Sequence, residues 1–127
     1  MNSLREKHYI DLINMARKME SFEGIRHLRI AFLADCTSTQ LNPFIELFLK
    51  EANLSCDFYH GNIGAIQQDV LNPDSDLYKF NPDVVFILNA TQVIRNQFYV
   101  DSDISNSKLE EIENTWINIR KNSNCLI

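Results

Sequence analysis

Cys36, Ser38 and His60 are the residues of this sequence whose types and placement could do covalent chemistry. Cys36 and Ser38 lie in Asp35-Cys36-Thr37-Ser38-Thr39-Gln40, a polar stretch after the apolar run Leu28–Ala34. A thiol near a helix start becomes a nucleophile when a base or cation draws off its proton. His60, ending a neighbouring strand, is the partner offered near that edge. The plainer reading is a small packed cysteine and a histidine that is packed or faces solvent. Thr37, Ser38, Thr39 and Gln40 could bind an anion through backbone N–H groups of the following helix, or Ser38 or Thr39 could simply cap that helix. Asp35, beside the loop, would oppose an anion. Asn89, Thr91 and Gln92 converge on the same edge and give it a polar cleft.

Several other chemistries lack their residues. No G-x-G-x-x-G follows a strand, so dinucleotide binding has no phosphate turn. A receiver-type phosphoacceptor needs an aspartate where Asn89 stands. Asp57-Phe58-Tyr59-His60 has no metal spacing with a second histidine. Cys36, Cys56 and Cys125 are odd in number and far apart, with no C-x-x-C pair, which points to reduced thiols of a cytoplasmic protein. A net charge of −5 argues against a nucleic-acid groove. The charged start, Met1 to Tyr9, is no signal peptide, and no run reaches the length of a membrane span.

The elements that must position these residues alternate between helix and strand. A chain of 127 residues is one domain by length, and its size lets it bury roughly two thirds of its unfolded surface. Ser3 with Glu6 reads as a capping box for a first helix carrying Tyr9, Leu12, Ile13, Ala16 and Met19, ended by Gly24 and packed on the sheet. Leu28–Ala34 reads as a central strand. A helix with Pro43 in its first turn follows, its inner stripe being Phe44, Leu47, Phe48 and Ala52, with Asn53 at its end. Ser55–His60 is a second strand near an edge, and Gly61-Asn62-Ile63-Gly64 turns the chain. Ile63, Ile66 and Val70 mark a helix broken by Asn72-Pro73, and Asp74 caps a short turn. Asp83–Leu88 is the strongest strand. Asn89–Ser105 reads as a long loop, and Ser107 with Glu110 makes a second capping box, opening a last helix with Leu109, Ile112, Trp116 and Ile119. Cys125-Leu126-Ile127 looks like the first residues of a fourth strand, as in the front part of a longer protein.

This order predicts a three-layer α/β/α sandwich with a parallel sheet, flavodoxin- or SGNH-like, cut after the start of strand four, with strand order 2-1-3.

The run Asp74-Ser75-Asp76-Leu77-Tyr78-Lys79-Phe80-Asn81-Pro82-Asp83 resembles the FkbH-like family, related to haloacid-dehalogenase (HAD) phosphatases of subfamily IIIC. That family has a similar D-S-x-L-Y-x-F-x-P-D run before a buried strand, and every position matches. The resemblance extends over Leu28–Leu88, about half of the chain. It implies an amino-terminal α/β domain joined to a HAD-like phosphoryl-transfer domain, some members loading a glyceryl group from a phosphorylated three-carbon donor onto an acyl carrier protein. The D-x-D-x-T motif of the second domain is absent. Asp101-Ser102-Asp103 has its first spacing but follows no strand, so Asp101 is not expected to be a phosphoryl acceptor. Mg²⁺ is accordingly expected in the HAD domain and no cofactor in this chain.

The same region resembles a degenerate SGNH hydrolase. Ala34-Asp35-Cys36 stands at the G-D-S place, so Cys36 replaces the nucleophilic serine. Gly61 or Gly64 fits the glycine position, Asn89-Ala90-Thr91-Gln92 replaces G-x-N-D, and the late Asp-x-x-His would lie beyond Ile127. Two expectations follow. The first is an accessory domain that positions a small phosphorylated substrate or an acyl carrier protein for a neighbouring HAD-like domain, with no nucleic-acid or membrane partner. The second is an esterase-like hydrolase using Cys36 or Ser38.

Overall fold

The computed structural model describes residues 3–100 and 104–127. Asp101-Ser102-Asp103 lies outside the described residues. The elements are α1 (Tyr9–Arg17), β1 (Arg26–Ala34), α2 (Asn42–Glu51), β2 (Leu54–His60), α3 (Ile66–Leu71), α4 (Asp76–Phe80), β3 (Val84–Leu88), α5 (Thr91–Val100) and α6 (Ile104–Asn122). The strands form a parallel sheet in the order β2-β1-β3, with Phe32 opposite both His60 and Phe86. Leu126 continues the sheet beside β3: Val85 N donates to Leu126 O at 2.8 Å and Leu126 N to Asp83 O at 3.0 Å, a parallel bridge. The expected three-layer α/β/α architecture and strand order are therefore present.

Alternation along β1 sends its side chains to two different layers. Ala31 and Leu33 face a core completed by Val85 of β3, Val70 of α3, Leu77 of α4 and Ile119 of α6. Each of the larger side chains is removed from water almost completely, worth about 1.5–3 kcal/mol apiece. On the other face Phe32 stacks between Phe86, at 5.2 Å, and His60, at 5.1 Å. There α2 packs against β2 and buries Leu47.

The ends of the elements follow local chemistry. Asn53 takes φ 59° after α2 and Asn81 takes φ 52° after α4, the left-handed terminators that asparagine tolerates. Asn72 is extended (φ −92°, ψ 108°), as a residue before proline must be, and α3 stops there.

Other boundaries differ from the sequence reading. Ser3 opens a 3₁₀ turn at Leu4–Glu6, its Oγ accepting from Arg5 N at 3.3 Å, and α1 starts separately at Tyr9. The partner of α1 is α2, and none of its residues is buried. The helix also stops at Arg17, so Gly24 is no terminator. A Cβ there would stand 2.5 Å from Asn53 O, which makes Gly24 a point of close backbone approach. Asp74 gives way to Ser75 as the residue before α4. The segment read as a loop from Asn89 holds α5, and α6 begins at Ile104, so Ser107 lies within it. Thr115 and Ile119 form the buried line of α6, whereas Leu109 and Trp116 are exposed.

Candidate functional site

The carboxyl ends of β1, β2 and β3 lie side by side, the edge where open α/β sheets place their ligands. On the α2 side Ser38, His60 and Asn42 form one hydrogen-bonded array. Asn42 Oδ1 is 2.8 Å from His60 Nε2, which makes that nitrogen the donor. Nδ1 then accepts the Ser38 hydroxyl proton at 2.9 Å. Burial pushes the imidazole below its ordinary pKa, so it is neutral at pH 7. Its ring lies parallel to Phe32, 7° between planes.

A serine on a neutral histidine oriented by a third group is the arrangement of an activated nucleophile. Here, however, Ser38 is only 6% exposed. Ser38 caps neither the 3₁₀ turn Thr39–Leu41 nor α2 through its side chain, because its hydroxyl is given to His60. Both ring nitrogens of His60 are taken, so the structure pairs it with Ser38 and Asn42 and brings no Cys36–His60 hydrogen bond together. Cys36 is half-buried beside the array, and Thr37 and Thr39 are exposed.

Asp35 faces the other way. Its Oδ1 accepts from Ala90 N at 2.5 Å and its own N donates to Leu88 O at 3.2 Å, which ties the end of β1 to the end of β3. Gly61 N donates to Phe32 O at 3.0 Å, and a Cβ on Gly61 would meet Asp69 Oδ2 at 2.7 Å. That carboxylate also accepts from Tyr59 OH at 3.1 Å; burial first, and then Asp69, pushes the phenol up to about 12. Gly64 turns the chain at φ 76°. These two glycines and Asp35 shape the edge.

Asn89 belongs to a separate cleft of about 240 Å³ between α3 and α6, walled by Gln67, Thr115, Trp116 and Glu111. Gln67 Nε2 donates to Thr115 Oγ1 at 2.6 Å, and Thr115 Oγ1 donates to Glu111 O at 2.7 Å. Glu111 is paired with Lys108 at 2.9 Å. No lysine or arginine lines this cleft, so it offers hydrogen bonds and an aromatic wall without charge for a phosphate. Thr91 and Gln92 are exposed at the start of α5. Sequence reasoning missed Asn42, Gln67, Thr115 and Trp116. The available signal for Thr115 was its place between Ile112 and Ile119 on the inward line of α6.

At the opposite end of the sheet His27 lies between Ser55 Oγ, 2.9 Å from Nδ1, and Asp57 Oδ2, 3.0 Å from Nε2. Its side chain and that of Asp57 are mostly in solvent, 50% and 70% exposed. This is a cross-strand surface ladder. Among the described residues no group of three or more His, Cys, Asp or Glu could hold a metal ion.

A parallel three-layer α/β domain with a polar carboxyl edge and a part-buried Ser–His–Asn array is the class that fold and site define. Within it, this chain belongs to the FkbH family, as the amino-terminal domain: the family model described as "FkbH, N-terminal domain" matches residues 29–124. Among solved structures it is similar to the N-terminal part of the protein BF1531 from Bacteroides fragilis, a structure containing a phosphatase domain complexed with Mg. The TM-score is 0.72 at 16% identity, a likeness of fold, over 86% of this chain and 30% of that one. The chain thus spans under a third of that structure's length. No curated protein matches the sequence.

Proposed function

We propose that this chain is an accessory domain that positions an acyl carrier protein, or the uncharged part of a small phosphorylated substrate, for a HAD-like domain that carries out phosphoryl or glyceryl transfer. The single observation that carries this reading is the closure of Ser38: the hydroxyl held on a histidine at this edge is 6% exposed, while the Asn89 cleft is open and lined by Gln67, Thr115 and Trp116. The match to the FkbH amino-terminal domain and the phosphatase domain named for the similar structure support a HAD-like neighbour. Mg²⁺ and the phosphate charge would be handled there, because the cleft supplies no cation.

Titration of the isotope-labelled chain with acyl carrier protein and with a phosphorylated three-carbon acid tests the reading by NMR. Binding without turnover is expected; absence of binding by either would contradict it. Reading the encoding gene past Ile127 tests the neighbour: an in-frame HAD-like domain is expected, and a stop codon there sinks the proposal. The Ser38–His60–Asn42 array favours a second reading, an esterase-like hydrolase. Ester turnover lost in Ser38→Ala but kept in Cys36→Ala would establish it, and a silent ester screen removes it.

A further inference from the structure

The side of the molecule away from the Asn89 cleft carries a second opening. A groove of about 810 Å³ runs between the amino-terminal turn, α1 and α2. Met15 and Met19 supply its exposed apolar surface over the buried Leu4 and Leu47, and Lys7, Lys18 and Lys50 edge it against a single acid, Glu51. In a chain of net charge −5 this is a local reversal of sign. None of the three belongs to an ion pair among the described residues, where the lysine pairs are Lys79–Asp76 and Lys108–Glu111. Lys50 Nζ lies 5.4 Å from the centre of the Phe22 ring, at the border the groove shares with a second opening lined by Glu46 and Asp57.

Two helices side by side, with a methionine-containing apolar floor and basic edges, match the demands of an amphipathic helix that is apolar on one face and acidic along its flanks. A membrane surface is a poorer fit, because juxtamembrane recognition uses clusters of about 4–8 basic residues and an acidic chain is repelled by anionic lipid. A small anionic amphiphile would want an enclosed pocket, and this groove lies open along its length.

We propose that the α1–α2 groove docks an acidic amphipathic helix of a partner protein, with Lys7, Lys18 and Lys50 reading its acidic flanks. The inference rests on the accessory-domain reading for the partner's purpose and on charge complementarity for its chemistry. The docking face is then separate from the carboxyl edge, so carrier and substrate would not compete for one surface.

The test uses the 127-residue chain, isotope-labelled for NMR, with two helical peptides of about 18 residues, or five turns. One has leucine and glutamate faces and the other has the same leucines with lysine. The acidic peptide is expected to shift amides in Leu4–Lys7, Met15–Met19 and Leu47–Glu51, with binding that weakens as salt is raised. Combining Lys7→Glu, Lys18→Glu and Lys50→Glu should weaken it by about tenfold or more, with unchanged circular dichroism showing that the variant folds. Equal binding of the basic peptide, shifts confined to Asn89–Trp116, or no binding of the acidic peptide would each overturn the groove. So would partition onto anionic phosphatidylglycerol vesicles that these substitutions abolish, in place of peptide binding. Acyl carrier protein that binds the wild-type chain and the triple variant equally leaves the accessory reading intact and removes this one. Carrier that binds neither, with the peptide still bound in the groove, does the reverse.

Discussion

Asp74–Asp83 and the Asp35–Asn42 loop with His60 make an instructive pair. Both are polar segments next to a strand of one sheet, but they use their polar groups differently. In the first, almost every group is spent on holding the fold. Asp74 N donates to Asn72 Oδ1 at 3.0 Å, Ser75 Oγ to Asp69 O at 2.7 Å, and Tyr78 OH to Val70 O at 2.7 Å. Leu77 is fully buried and Phe80 packs on Tyr59 at 5.7 Å. Asp83 accepts from Arg29 N at 2.8 Å and meets Arg29 Nη2 at 3.3 Å, clamping the entries of β1 and β3. In the second region Ser38, His60 and Asn42 are satisfied only by one another, and Thr37 and Thr39 remain in solvent. The family's most recognisable run is thus architecture, whereas the segment that departs from a hydrolase pattern keeps its polar groups at the carboxyl edge of the sheet, outside the fold's main bracing.

The comparison breaks most directly at Leu77. Leu77→Ala should cost about 2–5 kcal/mol, since it opens a cavity in a core with no slack. Chemical denaturation measures the loss, and the His60 titration should be unchanged in the folded fraction. Asp83→Asn comes next, at about 1–3 kcal/mol at pH 7, because Arg29 loses a charge-assisted partner. Arg29's hydrogen bonds, side-chain first and then backbone, hold this carboxyl below its ordinary value. Its contribution is therefore full above about pH 3.9 and is lost as pH falls through the lower folded value. Stabilities of the variant and parent should converge in acid.

Ser38→Ala should cost less, about 1 kcal/mol. It opens space beside the ring, and because burial is what lowers the His60 pKa, the value should move up, back toward its ordinary one, as water enters. The depressed histidine itself stabilises the fold fully above about pH 6.5, and that share is lost as pH falls through the folded value; NMR titration of the ring protons follows both effects. Thr115→Val is the smallest, about 1 kcal/mol or less. It takes the acceptor from Gln67 and should weaken whatever binds beside Asn89, with little change in the denaturation midpoint.

Most of the architecture was legible because burial leaves a pattern. Leu28–Ala34 and Asp83–Leu88 are read from continuous apolar residues, and Asn53 and Asn72-Pro73 from conformations that few residues adopt. The helix α5 was not read from the sequence, which has Asn89–Ser105 as a loop; none of its residues is buried. Glu6 and Glu110, three residues after Ser3 and Ser107, imitated capping boxes, yet tertiary packing set those boundaries elsewhere. The site was legible only in outline. Asp35, Ser38, His60, Gly61 and Asn89 do gather at one edge, but the choice of Ser38 over Cys36 as the partner of His60 depends on Asn42 closing the second nitrogen. The Gln67–Thr115 contact joins α3 to α6 across 48 residues of sequence, a distance that no local pattern spans.

The central claim is that this domain binds and positions without turning over. The most direct test is a single NMR titration with acyl carrier protein, run beside an ester and phosphomonoester turnover assay on the same sample. Saturable shifts on the domain and no product are expected. Product formation that depends on Ser38, or a carrier that leaves every resonance unmoved, would contradict it.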